Sequence, residues 1–248
     1  MNLSTNVAPQ RRPRRVALTV VTALLLLLCG TLLVTEIRDL REAARGALCQ
    51  DRLKQLGLAF QNYHHAYGTY PPACVFDPEG RPMHSWRALL LPMLDGSRLD
   101  YDLKKPWNSP KNVRFADANP ELAALFRCPS DDEKHPEWTS YVAVTGPRTL
   151  WPVDQAVRLD NLADERGTLL LVELHESGIG WLEPRDVSAE EIGKWEAREK
   201  ANHPDGFHFV TSGGDVGTLG GYSSLRILAE MATRHRANAA VPSADQSH

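Results

Sequence analysis

The most constraining feature of this sequence is an uncharged run over residues 16–34 that leads, without a proline, into a segment with helical periodicity. The run has 19 residues. At about 1.5 Å per helical residue it reaches roughly 28 Å, close to the roughly 30 Å hydrocarbon core of a bilayer. The sequence therefore predicts a transmembrane helix over residues 16–35 that continues into a second, amphipathic stretch.

The flanks of this run favour an anchor that is kept in the mature protein. A cleaved secretory signal, which is the main alternative, has an apolar core of about 7 to 15 residues followed by a small-x-small site. Here the run is longer and ends in Val34-Thr35-Glu36. Residues 1–15 contain four arginines and no acidic residue, so we expect a basic cytoplasmic tail and a C-terminal domain outside the cytoplasm. This topology gives a single-pass protein of the cell membrane.

Apolar residues recur at helical spacing after the span and predict a surface for a partner. We name these residues the assembly stripe: Ile37, Leu40, Ala44, Leu48, Leu56, Phe60 and Tyr63. Gly68 and the pair Pro71-Pro72 are expected to end the helix. A domain over residues 36–236 and a disordered tail over residues 237–248 complete the predicted organisation.

The rest of the sequence predicts a mixture of short helices and strands. Helices are expected at 85–94, broken near Pro92, at 110–125, and at 224–236. Strands are expected at 139–145 and 168–174, and at 207–212 and 215–219, the last two joined by a hairpin turn at Gly213-Gly214. Ser188 and Glu191 have the spacing of a capping box at a helix start. These elements predict an α+β fold.

The charge distribution argues against a nucleic-acid partner. The chain carries a net charge of -3, and because residues 1–15 contribute +4, the remainder carries -7. The only basic cluster is the arginine group beside the span, whereas nucleic-acid binding requires a basic face on the folded domain.

Several short blocks follow one another in order at residues 49–50, 53–59, 62–64, 68–73, 85–87, 89–92, 106–110 with 112, 126–131, 139–142, 146–147, and 181 with 183–186. Together they resemble a planctomycete-type, prepilin-like domain-of-unknown-function family, whose N-terminal helix is similar to that of type IV pilins and type II secretion pseudopilins. The resemblance runs from about residue 43 to residue 228 and implies a pilin-like fold, in which the long helix packs on an antiparallel sheet.

Two departures from the family pattern bear on maturation. Prepilins have Gly before the apolar run and Glu at its fifth position, where this chain has Arg15 and Val20. Relatives also carry His, nine residues, then Asp-Gly, whereas His203 is followed here by Gly213-Gly214. The C-terminal signature is thus degenerate, and prepilin-type processing is not expected.

The resemblance also implies a disulfide between Cys49 and Cys128, because both cysteines lie in matching blocks and the domain is expected outside the cytoplasm. Separate buried thiols are the alternative. No cysteine or histidine spacing along the chain suits a zinc site, so no metal and no cofactor is expected.

Candidate catalytic residues are few. Glu173, His175 and Glu176 follow an apolar strand, but no nucleophile elbow, phosphate loop or metalloprotease motif accompanies them. We therefore expect no catalysis and a structural role in envelope or secretion assembly, with self-association or pilus-like partners. A membrane-anchored module that binds a glycan or peptide is the alternative, and a hydrolase is the least favoured interpretation.

Overall fold

A computed structural model describes residues 12–94, 100–131, 134–152, 167–192, 194, 201–220 and 224–233. Side chains are described from residue 18 onward and, in the last helix, from residue 226. The predicted C-terminal tail and most of the basic N-terminal tail lie outside these residues. The chain divides into two compact units, Met1–Ala44 and Arg45–His248, and the boundary falls within the first helix.

The first helix confirms that the apolar run and the segment after it form one continuous helix. Helix α1 spans Arg12–Tyr67, and its N-terminal part is apolar and long enough to cross a membrane. Such a helix fits either a signal anchor or a signal sequence. At its C-terminal end Gly68 adopts a φ of 71°, and its N–H binds the carbonyl of His64 at 2.8 Å. This left-handed glycine cap ends the helix where the sequence predicts.

The second unit contains short helices and strands after α1. The helices are α2 (Trp86–Leu94), α3 (Pro110–Ala118), α4 (Pro120–Leu125), α5 (Ala189–Ile192) and α6 (Ser224–Ala232). The strands are β1 (Cys74–Phe76), β2 (Pro82–Ser85), β3 (Tyr141–Val142), β4 (Val144–Thr145), β5 (Leu169–Glu173), β6 (Val187–Ser188), β7 (Phe207–Thr211) and β8 (Val216–Leu219).

The main sheet is antiparallel and has the strand order β3-β5-β7-β8. The C-terminal part of α1 packs on this sheet, and its residues Leu53 and Phe60 share one apolar core with Leu171 of β5 and Val210 of β7. The predicted α+β, pilin-like arrangement is therefore confirmed. The contact is close at Gly57, where an added Cβ would lie 3.1 Å from Cγ2 of Val210.

The predicted hairpin is also confirmed. Strands β7 and β8 pair through the turn at Gly213-Gly214, and Gly214 has a φ of 86°. The side-chain amide of Gln61 donates a hydrogen bond to the carbonyl of Gly213 at 3.3 Å, so the turn is attached to α1. Ser188 and Glu191 form the predicted capping box, with reciprocal hydrogen bonds of 2.7 and 3.1 Å.

Two local predictions are wrong. Helix α2 continues through Pro92 to Leu94 instead of breaking there. The single strand predicted over 139–145 is divided into β3 and β4, which pair with different partners: β3 joins the main sheet, whereas β4 pairs in parallel with β6.

The assembly stripe does not form one exposed face. Leu56 and Phe60 are completely buried in the core of their own unit, and Tyr63 is partly buried, whereas Ile37, Leu40, Ala44 and Leu48 are exposed. The buried face of the helix consists of Cys49, Leu53, Leu56 and Phe60, which follow one another at steps of four, three and four. Leu48 is one residue out of phase with this face, about 100° around the helix.

The opposite face of the sheet is covered by a second core. Val142, Val172 and Phe207 pack there together with Ile192 of α5 and Leu228 of α6. The sheet is thus buried on both faces, with α1 on one side and the last described helix on the other.

Candidate functional site: a buried cluster of cysteine, histidine and glutamate

Four buried side chains bring potential metal ligands together where α1 crosses the main sheet. Cys49 comes from α1, Glu173 from the end of β5, His203 from the loop before β7, and His208 from β7 itself. One donor atom from each residue lies within 4.8 Å of all the others. Each of the four is at most 5% exposed.

Glu173 faces both histidines from the centre of the cluster. Its Oε1 lies 3.4 Å from Nε2 of His203, and its Oε2 lies 3.5 Å from Nδ1 of His208. Glu173 Oε1 and His208 Nδ1 are buried and have no hydrogen-bond partner. Leaving such atoms unsatisfied ordinarily costs about 1 to 3 kcal/mol each, so this arrangement requires an explanation.

The two histidine rings lie against each other and against the backbone of α1. Their centroids are 4.4 Å apart and their planes are inclined by 19°. The rings approach the helix at Gly46, where an added Cβ would make ordinary contacts of 3.6 Å with Cε1 of His208 and 3.7 Å with Nδ1 of His203.

The cysteines of the predicted disulfide meet at this cluster but are not bonded. All four cysteines of the chain are free thiols, so the Cys49–Cys128 disulfide is not formed in the structure. Cys49 Sγ accepts a hydrogen bond from the hydroxyl of Tyr141 at 3.2 Å, and Cys128 Sγ lies 3.1 Å from Nε2 of His203.

The surroundings shift the pKa values of Cys49, Cys128 and Glu173 in different directions. The neighbouring Cys128 side chain lowers the pKa of the Cys49 thiol, and the nearby His203 and His208 rings and the Tyr141 hydroxyl add to this effect against the opposing effect of burial. Burial raises the pKa of Cys128. Burial and the nearby Cys49 charge also raise the pKa of Glu173 to about 7. A negative charge in this cluster is thus favoured on Cys49 over Cys128.

The other candidate residues from the sequence lie elsewhere. His175 is partly exposed, and its Nδ1 lies 2.8 Å from Oδ1 of Asn202 and 3.1 Å from Oδ1 of Asp131. The backbone N–H of Glu176 donates to the same Asp131 oxygen at 3.3 Å. Glu173 therefore faces His203 and His208, whereas His175 contacts Asn202 and Asp131.

A surface pocket of about 220 Å³ approaches the cluster from outside. Its wall includes Cys128 and Asp131 as well as Arg52, Ala123 and Arg127. Asp131 accepts a hydrogen bond of 2.6 Å from Ser140, whose hydroxyl in turn accepts from the backbone N–H of Cys128 at 2.8 Å. Cys128 thus lies between the pocket and the buried ligand set.

The fold and this site define a pilin-like α+β protein with an apolar N-terminal helical segment and, in its second unit, a buried polar cluster. The chain belongs to the family described as Protein of unknown function (DUF1559), whose family model matches residues 38–168. The resemblance inferred from the sequence blocks is confirmed by this match. His203, Gly213 and Gly214 lie beyond the matched residues. Comparisons with curated proteins and with solved structures give no match.

The sequence singles out three of the four cluster residues, but none of them as a metal ligand. It predicts a disulfide for Cys49, a strand exit for Glu173 and a degenerate signature for His203, and it gives no role to His208. The four positions span 160 residues, from 49 to 208, so no local spacing links them. One feature of the sequence points to a part of the cluster. Glu173 and His208 lie on two predicted strands, and the pairing of these strands places the two residues side by side.

Proposed function

We propose that this protein is a membrane-anchored, extracytoplasmic, pilin-like component with a structural, non-enzymatic role in envelope or secretion assembly. One observation carries the proposal: the leucine and valine side chains between Leu24 and Val34 are 49 to 74% exposed within their own unit. A helix surrounded by apolar side chains on all sides is suited to lipid or to other apolar helices.

The second unit supports the same role. Its helical part packs on an antiparallel sheet, as in a pilin-like fold, and it belongs to the same continuous helix as the apolar segment. Glu173, His203 and His208 are buried, and burial of these polar side chains favours a structural role over catalysis.

The partner surface is the exposed part of the assembly stripe. Ile37, Leu40, Ala44 and Leu48 follow one another at steps of three and four, so they lie on one face of α1. Leu56 and Phe60 are excluded from this surface because they fill the protein's own core. Self-association, or contact with a secretion or pilus-like component, would use this shorter face.

Site-specific photocrosslinking in intact membranes tests this proposal. A photoreactive amino acid at Leu40 is expected to give crosslinks to a second copy or to an envelope component. The same probe at Arg38, about 200° away around the helix, is the matched control and is expected to give few. Equal crosslinking from both positions, or none from Leu40, would contradict the proposed surface.

Two further measurements test the anchor and the topology. The N-terminal sequence of the membrane-bound protein is expected to begin at Met1 or Asn2, whereas a start near Val16 or later would indicate cleavage. A reporter fused after His248 is expected to be active only outside the cytoplasm, and cytoplasmic activity would reverse the proposed orientation.

A further inference from the structure

We infer that Cys49, Glu173, His203 and His208 form a buried binding site for a divalent transition-metal ion, with Zn²⁺ as the best match. Thiolate, imidazole and carboxylate are the three ligand types that proteins use for zinc. The four residues come from α1, the end of β5, the loop before β7 and β7 itself, and each supplies one donor atom that lies within 4.8 Å of the other three.

The donor spacing fits a tetrahedral ion better than it fits hydrogen bonds. Bonds of about 2.0 to 2.3 Å in a tetrahedral arrangement place neighbouring donors about 3.3 to 3.8 Å apart. Glu173 Oε1 lies 3.4 Å from Nε2 of His203, and the other carboxylate oxygen, Oε2, lies 3.5 Å from Nδ1 of His208. Because the four donor atoms are separated by up to 4.8 Å, they must draw closer together when a tetrahedral ion binds. Glu173 Oε1 and His208 Nδ1 have no hydrogen-bond partner, so an ion between these groups would satisfy both atoms at once.

The charges of the four ligands also match the charge of a divalent cation. A thiolate and a carboxylate together carry two negative charges, which a divalent cation neutralises, and the two histidines bind as neutral ligands. A neutral assembly avoids the large free-energy cost of placing an uncompensated charge in a site where every ligand is buried.

Neighbouring residues supply the hydrogen bonds that usually orient metal ligands. Asp205 Oδ2 lies 3.5 Å from Nε2 of His208, the nitrogen that faces away from Glu173. A histidine that binds a metal through one nitrogen commonly donates its other N–H to a carboxylate in this way. The Tyr141 hydroxyl donates to Cys49 Sγ and would hold the thiolate in place.

Metal binding requires a change in the orientation of the two histidine rings. The lone pair of an imidazole nitrogen lies in the ring plane, and the planes of His203 and His208 are now inclined by only 19°. Both lone pairs can meet at one ion only if the rings turn away from this stacked arrangement. The site therefore predicts a measurable reorientation of His203 and His208 when metal binds.

The thiol of Cys49 connects this site to the predicted disulfide. Cys49 can be a metal ligand only as a free thiolate, so a Cys49–Cys128 disulfide and the complete four-ligand site exclude each other. The test must therefore begin with protein whose thiols have been reduced and counted. Cys128 Sγ, 3.1 Å from His203, stays beside the site as a neighbouring thiol.

The experiment uses the full-length protein in detergent, freed of metal with a chelator and kept reduced with a phosphine. Addition of Zn²⁺ is expected to give one bound equivalent per chain, measured by elemental analysis after gel filtration. Addition of Co²⁺ instead is expected to produce thiolate-to-cobalt charge transfer and the visible absorption bands of a tetrahedral site. The cobalt spectrum needs no variant, so it decides the question even if a substitution prevents folding.

Matched variants assign the ligands. Cys49→Ser and His208→Ala are expected to weaken Zn²⁺ binding by at least about 100-fold and to remove the cobalt bands that depend on each ligand. Cys74→Ser is the control, since Cys74 lies on β1 outside the cluster, and should leave binding unchanged. Absence of the cobalt spectrum in reduced protein, or equal affinity in wild type and Cys49→Ser, would overturn the site.

Discussion

The Nη2 atom of Arg87 lies 2.6 Å from Oδ1 of Asp186, and both side chains are completely buried. Arg87 also donates to the carbonyl of Tyr141 at 3.0 Å, while Asp186 accepts from the backbone N–H of Ala143 at 2.9 Å and from the indole of Trp86 at 3.0 Å. This ion pair joins two sequence blocks that lie almost 100 residues apart, and it fixes α2 to the main sheet and to the loop before β6.

Removal of one partner of this pair should be strongly destabilising. Asp186→Asn leaves the Arg87 guanidinium buried without a counter-charge, and we expect a loss of about 3 to 5 kcal/mol in the free energy of unfolding. Urea denaturation of the full-length protein in detergent, followed by tryptophan fluorescence, measures the loss. Glu183→Gln is the control, because the Glu183–Arg185 pair is partly exposed and should contribute less than about 1 kcal/mol. Equal losses for the two variants would show that burial does not strengthen the first pair.

The turn at Gly213-Gly214 should tolerate a side chain at one position only. Gly214 has a φ of 86°, and an added Cβ would lie 2.8 Å from Nε2 of Gln61. Gly213 is not among the residues with positive φ. We therefore expect Gly213→Asp, which restores the Asp-Gly of the family signature, to stay within about 1 kcal/mol of wild type, and Gly214→Ala to lose about 1 to 2 kcal/mol. Denaturation curves of the two variants measure this difference, and the opposite order would contradict it.

The glycines of α1 should respond differently to alanine. Alanine favours a helix over glycine by about 1 kcal/mol. At Gly46 the new Cβ would make ordinary contacts of 3.6 and 3.7 Å, so Gly46→Ala should raise the free energy of unfolding. At Gly57 the new Cβ would lie 3.1 Å from buried Val210, so Gly57→Ala should gain less or lose stability. Thermal denaturation of both variants in parallel checks this order, and a greater gain at Gly57 would rule it out.

His84 should make stability depend on pH. Its Nδ1 lies 2.8 Å from the Tyr101 hydroxyl and its Nε2 lies 3.0 Å from the carbonyl of Leu103, an arrangement that suits a neutral ring with one donor and one acceptor. Burial lowers the pKa of His84 below its ordinary value of 6.5, against the opposing effects of the Leu103 carbonyl and the Asp102 charge. As the pH falls through 6.5, the unfolded chain binds a proton that the folded chain does not, so the folded state loses stability.

Comparison with His84→Gln isolates this contribution. Between about pH 7.5 and about pH 5.5, the free energy of unfolding should fall more for the wild type than for the variant, because the other titrating groups are shared. Parallel pH profiles for the two proteins would show that His84 is not the responsible group.

The sequence predicts the elements of this fold better than it predicts their contacts. The glycine cap at Gly68, the hairpin at Gly213-Gly214 and the capping box at Ser188 each depend on residues close together in the chain, and all three are confirmed. The Pro92 prediction fails because packing keeps the helix intact around a residue that normally disrupts one. The prediction of one continuous assembly stripe fails partly because Leu48 and Leu56 are eight residues apart. Residues separated by eight positions need not lie on the same face of a helix.

The buried cluster lay beyond local reasoning for a different reason. Its donors depend on the pairing of β5 with β7 and on the face that α1 presents to the sheet, and these relationships involve separations of 30 to more than 100 residues. A cysteine at position 49 is equally compatible with a disulfide, a core thiol or a metal ligand until its neighbours in space are known.

The two-sided burial of the main sheet also affects the order of folding. Leu228 and Ala232 of α6 close the second core, and they follow all four strands of the main sheet along the chain. Until α6 has been synthesised, the apolar side chains of Val142, Val172 and Phe207 lack this cover. A truncation before α6 would therefore leave one apolar face of the sheet exposed, and such a surface is prone to aggregation.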